Sequence, residues 1–256
     1  MSYYSGAVPY LAVAQGNLTS GTASATVTTE ATTQTLPGDL LVLVLYATVD
    51  PAAAIDAGEG WVLLDSGFDG ANGYGIAMWV AVSAKAGLTR TGLTLASSGN
   101  WAAVLSFFRP LSSLRWGLSG KVAGGNWYNA TADSRSMSWN PYRGAGFAGN
   151  GLQGVELLGA GCANGGVVPT ATAPTGYTER ADQGIVAAPS MNISLNYRVP
   201  ATANLVTNYA LTTVTNSTYY TTSGAQTNRA SVRGFVPIVG LSSYPGRYFS
   251  GRRFMG

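Results

Sequence analysis

Residues 38–47 read Gly-Asp-Leu-Leu-Val-Leu-Val-Leu-Tyr-Ala, and this stretch decides the fold class. Leu40 to Ala47 are apolar without a break, between Asp39 on one side and Asp50 on the other. A membrane-spanning helix needs about 20 such residues. A short apolar run bounded by turn residues reads instead as a strand buried on both faces. Pro37-Gly38 supplies the turn in front of it.

The same grammar extends in both directions. Apolar and alternating runs predict strands at 23–35, 39–48, 61–66, 74–83, 92–96, 101–108, 114–122, 135–139, 155–162, 177–181, 191–198, 206–214, 218–222 and 230–238. Asp69-Gly70, Asn72-Gly73, Ser119-Gly120, Pro174-Thr175-Gly176 and Ser223-Gly224 mark turns between them. No long stretch places apolar residues at i, i+3, i+4 and i+7 between caps. The expected fold is all-β: a two-sheet β-sandwich or jelly roll.

The opening stretch has a counterpart. Gly38-Asp-Leu-Leu-Val42 matches Gly154-Val-Glu-Leu-Leu158 at an offset of 116, and Gly60-Trp-Val-Leu-Leu64 matches Gly176-Tyr-Thr-Glu-Arg180 at the same offset. Ala102-Ala-Val104 with Phe107 matches Ala230-Ser-Val232 with Phe235 at 128, which an insertion of 12 residues around 205–228 reconciles. One half alone cannot cover its apolar face, whereas two halves supply two sheets that pack about 10 Å apart. The chain therefore divides into an N-terminal arm and first strand (1–35), one pseudo-duplicated sandwich (36–240) and a C-terminal arm (241–256). The halves are 36–111 and 151–240, and the bridge is 112–150.

Composition narrows the chemistry. The chain of 256 residues has no His and one Cys, which removes Ser-His-Asp and Cys-His catalysis and imidazole general bases. Common zinc sites, disulfide frameworks and iron–sulfur clusters go with them. Cys162 is expected to be a small core hydrophobe. Only 10% of residues are charged, but 46% are hydrophobic and 27 are aromatic, so low charge here is not a disorder signature. Residues 1–29 carry no charge and no signal-peptide pattern. Residues 183–256 carry six Arg and no acid, against 8 basic and 11 acidic residues in 1–182. Arg suits protein interfaces, and the patch is too sparse for nucleic-acid binding.

The phrases "PGDLLVLVLYA", "GEGWVLLDSG", "YGIAMWVAVS" and "NWAAVLSFFRP" resemble the β-sandwich (jelly-roll) modules of tailed-bacteriophage virion proteins and bacterial surface proteins. "GVELLGAGCANGG", "APTGYTERAD", "NISLNYRV" and "ASVRGFVPI" look like the latter part of the same module. The resemblance covers about residues 36–111 and 151–238. It implies a non-enzymatic structural or adhesive role and brings no catalytic residues and no cofactor. It places the protein in a virion, made in the host cytoplasm without a signal peptide. Its partners would be other virion proteins and copies of itself, with no nucleic acid and no membrane.

Several residue groups invite function. Asp50, Asp56, Glu59, Asp65 and Asp69 gather in the first half. The loop from Asp65 to Gly73 begins an oxygen-ligand set but lacks the six to eight ligands calcium takes, so it reads as a solvated hairpin loop and no metal site is assigned. A glycosidase pair would need two carboxylates about 5–9 Å apart, with Asp56/Glu59 or Asp65/Asp69 as candidates. Gly144-Ala-Gly-Phe-Ala-Gly149 matches a dinucleotide fingerprint but has no strand before it and no helix after it. Four Asn-x-Ser/Thr sequons, at Asn17, Asn129, Asn192 and Asn216, are accounted for by the Ser and Thr content.

Aromatics fall into two classes. Trp116 and Trp139 read as core. Trp127-Tyr128 and Tyr219-Tyr220 are adjacent pairs, and adjacent strand residues point to opposite faces, so one ring of each pair is available to a ligand or partner. Tyr3, Tyr4 and Tyr10, together with Tyr244, Arg247, Tyr248, Phe249, Arg252, Arg253 and Phe254, have the composition of interface anchors and are assigned to assembly. The expected function is that of a virion structural protein, first a capsid decoration protein, working as a homo-oligomer. The alternative is a tail-fibre or adhesin module that binds a receptor or host-surface glycan through Trp127, Tyr128, Tyr219 and Tyr220. A carboxylate glycosidase is the third reading.

Overall fold

A computed structural model of the chain describes residues 8–15, 26–31, 35–53, 60–84, 86, 89–95, 99–110, 114–117, 127–129, 136–137, 153–164, 173, 176–185, 190–198, 214–215 and 227–240. The described part is almost entirely β-structure. Its strands are β1 (Val8–Gln15), β2 (Thr26–Ala31), β3 (Leu40–Ala47), β4 (Val62–Asp69), β5 (Tyr74–Val82), β6 (Thr89–Thr94) and β7 (Trp101–Arg109). They continue with β8 (Leu114–Trp116), β9 (Trp127–Asn129), β10 (Ser136–Met137), β11 (Gln153–Asn164), β12 (Thr178–Ile185), β13 (Ser190–Arg198), β14 (Val214–Thr215) and β15 (Thr227–Gly240). Among the described residues the helical content is one 3-10 turn, Pro51–Ala53, and no helix is long and apolar enough to cross a membrane.

Two antiparallel sheets face each other. The first has the order β1-β7-β3-β5-β4, and the second β12-β13-β11-β15-β8, with β9 also paired to β15. Two smaller ribbons pair β2 with β6 and β10 with β14. Four consecutive strands of the two sheets correspond: β7-β3-β5-β4 and β15-β11-β13-β12 both have the spatial order 4-1-3-2. Leu40 pairs with Val82 and Ala47 with Gly75; residues 116 later, Glu156 pairs with Arg198 and Ala163 with Met191. Both outer strands bulge after residues 116 apart, at Leu63 in β4 and Glu179 in β12. The closing strands match less closely. Leu40 lies opposite Phe108 and Glu156 opposite Phe235, an offset of 127 rather than the 128 of the sequence match.

Leu40–Ala47 is buried at every position, so the strand is covered on both sides. Leu40, Val42, Val44 and Tyr46 face the second sheet and join Val155, Leu157, Ile193, Leu195 and Val232 in the main core. Leu41, Leu43 and Leu45 face the other way and pack with Trp79, Phe107 and Leu95 in a second cluster. Residues 116 apart thus reach opposite faces: Val42 and Val44 point into the sandwich, while Leu158 and Ala160 alternate with the inward Leu157 and lie on the far face of β11. The inward positions of β11 beneath Val44 and Tyr46 are Gly159 and Gly161, where an added Cβ would lie 2.7 Å from Val44 Cγ1 and 2.8 Å from Tyr46 Cβ respectively. The two sheets approach closely there because those side chains are missing.

Residues 8–15 lie within the segment 1–35, read as an N-terminal arm and first strand. They form β1 along the free side of β7, with Tyr10 opposite Phe107. The run Val-Pro-Tyr-Leu-Ala-Val-Ala-Gln is a serviceable strand, and an edge position tolerates Pro9, which has no N–H to donate. Part of the bridge also joins the second sheet, through β8 and β9. Residues 218–222, 138–150 and 241–256 lie outside the described residues.

Candidate site: an arginine, tyrosine and carboxylate cluster at one end of the sandwich

Three arginines lie near the end where β7 and β13 terminate, each with its own partners. The Phe108 and Tyr197 rings, 5.4 Å apart and edge to face, bring the two strand ends together. Arg109 and Arg198 are the next residues along each strand.

Arg109 holds Asp39, which is 1% exposed. Its Nε donates to Asp39 Oδ1 at 3.0 Å and its Nη2 to Oδ2 at 2.9 Å. Oδ2 also accepts from the Leu36 backbone N–H at 2.7 Å, while the Asp39 carbonyl accepts from Ser83 N–H at 2.8 Å. The hydrogen bond from Asp39 raises the Arg109 pKa above its ordinary value, against the opposing effect of burial and with a smaller Coulombic contribution in the same direction. This clamp ties the loop entering β3 to the ends of β5 and β7.

Arg198 holds Glu156, which is 2% exposed. The register sets them opposite each other on β11 and β13, and Arg198 Nε donates to Oε2 at 2.5 Å. The Tyr177 hydroxyl donates to Oε1, and the Arg198 guanidinium lies 4.9 Å from the Tyr177 ring centroid. Each member thus touches the other two. A carboxylate in an apolar strand is tolerable only when paired in this way.

Arg180 completes the group. Its guanidinium lies 4.9 Å from the Tyr197 ring centroid and its Nη2 donates to the Tyr197 hydroxyl at 3.4 Å. The far face of β13 presents Asn192, Ser194 and Asn196 at alternate positions, all buried, and Ser231 of β15 is buried across β11 from Ser194. Chemically, the cluster offers fixed cations and hydrogen-bond donors. Its two buried carboxylates already accept hydrogen bonds from guanidinium groups.

The residues singled out from sequence are placed as follows. Tyr10 is in β1. Trp127 and Tyr128 are in β9, at the register positions of Ser231 and Ala230. Tyr3, Tyr4, Tyr219, Tyr220, Tyr244, Arg247, Tyr248, Phe249, Arg252, Arg253 and Phe254 lie outside the described residues, as do Trp139, Asp56 and Glu59. Trp116 is 7% exposed and belongs to the main core, and Cys162 is buried. Asn192 of the third sequon is 2% exposed, so its side chain is not open to a glycan.

The acidic hairpin is closed on itself. Asp69 Oδ1 accepts from the backbone N–H groups of Ala71 at 3.0 Å and Asn72 at 3.3 Å, and Oδ2 accepts from Asn72 Nδ2 at 2.6 Å. Asp65 is 7% exposed and accepts from Ser66 N–H at 2.9 Å. Asp65 and Asp69 lie four residues apart on β4, about 13 Å at the usual rise per residue, beyond the roughly 5–9.5 Å of a glycosidase pair. Among the described residues no group of three or more His, Cys, Asp or Glu could hold a metal ion.

Sequence reasoning passed over Glu156, Tyr177, Arg180, Tyr197 and Arg198. One signal was present: Glu156 interrupts an apolar run whose counterpart holds Leu40, and a lone acid in a buried strand demands a cation nearby. No protein-family model, no curated protein and no solved structure matches the chain.

Proposed function

We propose that the chain is a non-enzymatic structural protein of a tailed-bacteriophage virion that works by subunit assembly, first as a capsid decoration protein or another head or tail accessory protein. The observation that carries this reading is the use made of buried charge. Asp39 and Glu156 each bind an arginine across neighbouring strands, with Asp39 fixing the loop into β3 and Glu156 fixing Tyr177. These groups join strands together, which suits a scaffold. The aromatic and Arg-rich residues 241–256 are the segment assigned to docking on a neighbouring subunit.

The shared order 4-1-3-2 and the common β3–β5 and β11–β13 register support two similar halves, each supplying one sheet. They do not favour jelly-roll winding, because a jelly roll is made of Greek keys, whose order is 4-1-2-3.

Sedimentation of the full chain and of a chain ending at residue 240 tests the assembly reading. A discrete oligomer that dissociates on truncation is expected. A monomeric full chain, or an oligomer indifferent to the truncation, overturns it. A monomer that binds host glycans, with binding lost in Trp127→Ala and Tyr220→Ala, replaces it with the adhesin reading.

A further inference from the structure

Arg180 occupies an unusual backbone position. In β12 the pairing runs Thr178 to Tyr197 and Glu179 to Asn196, then skips to Ala181 opposite Leu195, so Arg180 is the extra residue of a bulge. A bulge releases one side chain from strict alternation and re-aims it. The first sheet has the same device 116 residues earlier, where the bulge of β4 frees Leu64. Leu64 is 3% exposed and packs into the core against Gly234. The bulge therefore needs no arginine, and a leucine there fills the core well.

What Arg180 does with its donors is also distinctive. Arg109 and Arg198 each present Nε to a carboxylate, at 3.0 and 2.5 Å. Among the described residues Arg180 Nε is buried without an acceptor, and the hydrogen bond from Arg180 Nη2 to the Tyr197 hydroxyl is long at 3.4 Å. No carboxylate pairs with Arg180 among the described residues. A desolvated donor without an acceptor is costly, so one left in place asks for a reason. The stacking on Tyr197, itself held edge-on by Phe108, fixes the guanidinium plane before any ligand arrives.

We infer that Arg180 and Tyr197 form a binding site for a carboxylate group, gripped by the planar guanidinium and by the Tyr197 hydroxyl proton. A planar two-oxygen acceptor matches a guanidinium fork; with Nε buried, the carboxylate would take the terminal Nη groups of Arg180 beside the Tyr197 hydroxyl, not the Nε–Nη2 edge that Asp39 takes on Arg109. The carboxylate comes from a small organic acid or from an acidic side chain of a protein partner.

The test is ¹⁵N NMR of arginine Nε–H groups in the full chain, with the Arg180 signal assigned by its disappearance in Arg180→Lys. Sodium acetate is titrated against sodium chloride at constant ionic strength, and hexaglutamate is titrated in parallel. A saturable shift of the Arg180 signal with carboxylate and none with chloride is expected, with affinity about tenfold lower in Tyr197→Phe. Tighter binding of hexaglutamate than of acetate per carboxylate assigns the site to a protein partner, and equal binding assigns it to a small acid. Absence of a saturable shift, or affinity unchanged in Tyr197→Phe, overturns the inference. Acetate should also raise the melting temperature of the parent chain relative to chloride, and Arg180→Leu, which copies Leu64, should abolish that rise.

Discussion

Replacing Gly161 by Ala is the sharpest test of how the two sheets meet. Gly161 lies on β11, and its missing Cβ would fall 2.8 Å from Tyr46 Cβ and nearer still to the ring, across the interface on β3. Tyr46 cannot swing aside into solvent: it is 0% exposed and stacks on Tyr74 with ring centroids 5.9 Å apart. Overpacking of this kind costs about 1–3 kcal/mol. Ala in a strand regains about 0.5–1 kcal/mol over Gly through chain entropy. The balance is a loss of roughly 0.5–2 kcal/mol, a fall in melting temperature of about 2–6 °C for a chain of this size. Thermal and urea unfolding of Gly161→Ala, Tyr46→Leu and the double variant measure it. The cycle should show coupling of about 1 kcal/mol or more, with the Ala substitution harmless once the ring is gone. If Gly161→Ala raises the melting temperature beside an intact Tyr46, as expected at an open strand position, β3 and β11 do not pack face to face.

Three further outcomes follow from the site and its turns. Glu156→Gln leaves Arg198 without its counter-charge; because Arg198 is 25% exposed the loss should be about 2–3 kcal/mol in urea unfolding, below the full cost of breaking a buried pair, and Arg198→Gln added to it should recover part. The Asn72 side-chain hydrogen bond, helped by the Asn72 and Ala71 backbone N–H groups and opposed by desolvation, holds the Asp69 carboxyl below its ordinary value of 3.8. Its stabilising effect is therefore present above pH 3.8 and fades as pH falls through the lower folded value; Asn72→Ala should move the NMR titration of Asp69 up toward 3.8. Gly60 and Gly176, 116 residues apart, have φ of +67° and +84° with open space around them, so Ala at either should cost about 1–2 kcal/mol in thermal unfolding through backbone strain alone.

The strands with strong local signals were legible. Leu40–Ala47, Tyr74–Val82, Trp101–Arg109 and Ser190–Arg198 follow the apolar runs to within a residue or two. β1 and β9 were not predicted: Tyr3, Tyr4 and Tyr10 with Gly6 and Pro9 made residues 1–10 look like an arm, and Trp127–Asn129 is too short to show a period. Trp116 and Cys162 read correctly as buried because apolar residue type alone predicts burial. The cluster at the sandwich end was not legible. Glu156 and Arg198 are 42 residues apart, and their partnership exists only through the β11–β13 register.

By itself, the sequence determined the class of structure and excluded much chemistry. Composition, turn residues and short apolar runs act locally, so they specify strands without knowledge of the fold, and the lack of His is independent of it. Which face of each strand turns inward was a tertiary decision. Residues 116 apart, such as Val42 and Leu158, have similar side chains yet opposite destinations, because that depends on which side of each sheet meets the other. The fates of Leu64 and Arg180 were decided in the same way. Equivalent bulges send one side chain into the core and the other over the ring of Tyr197, where an unfilled hydrogen-bond donor results.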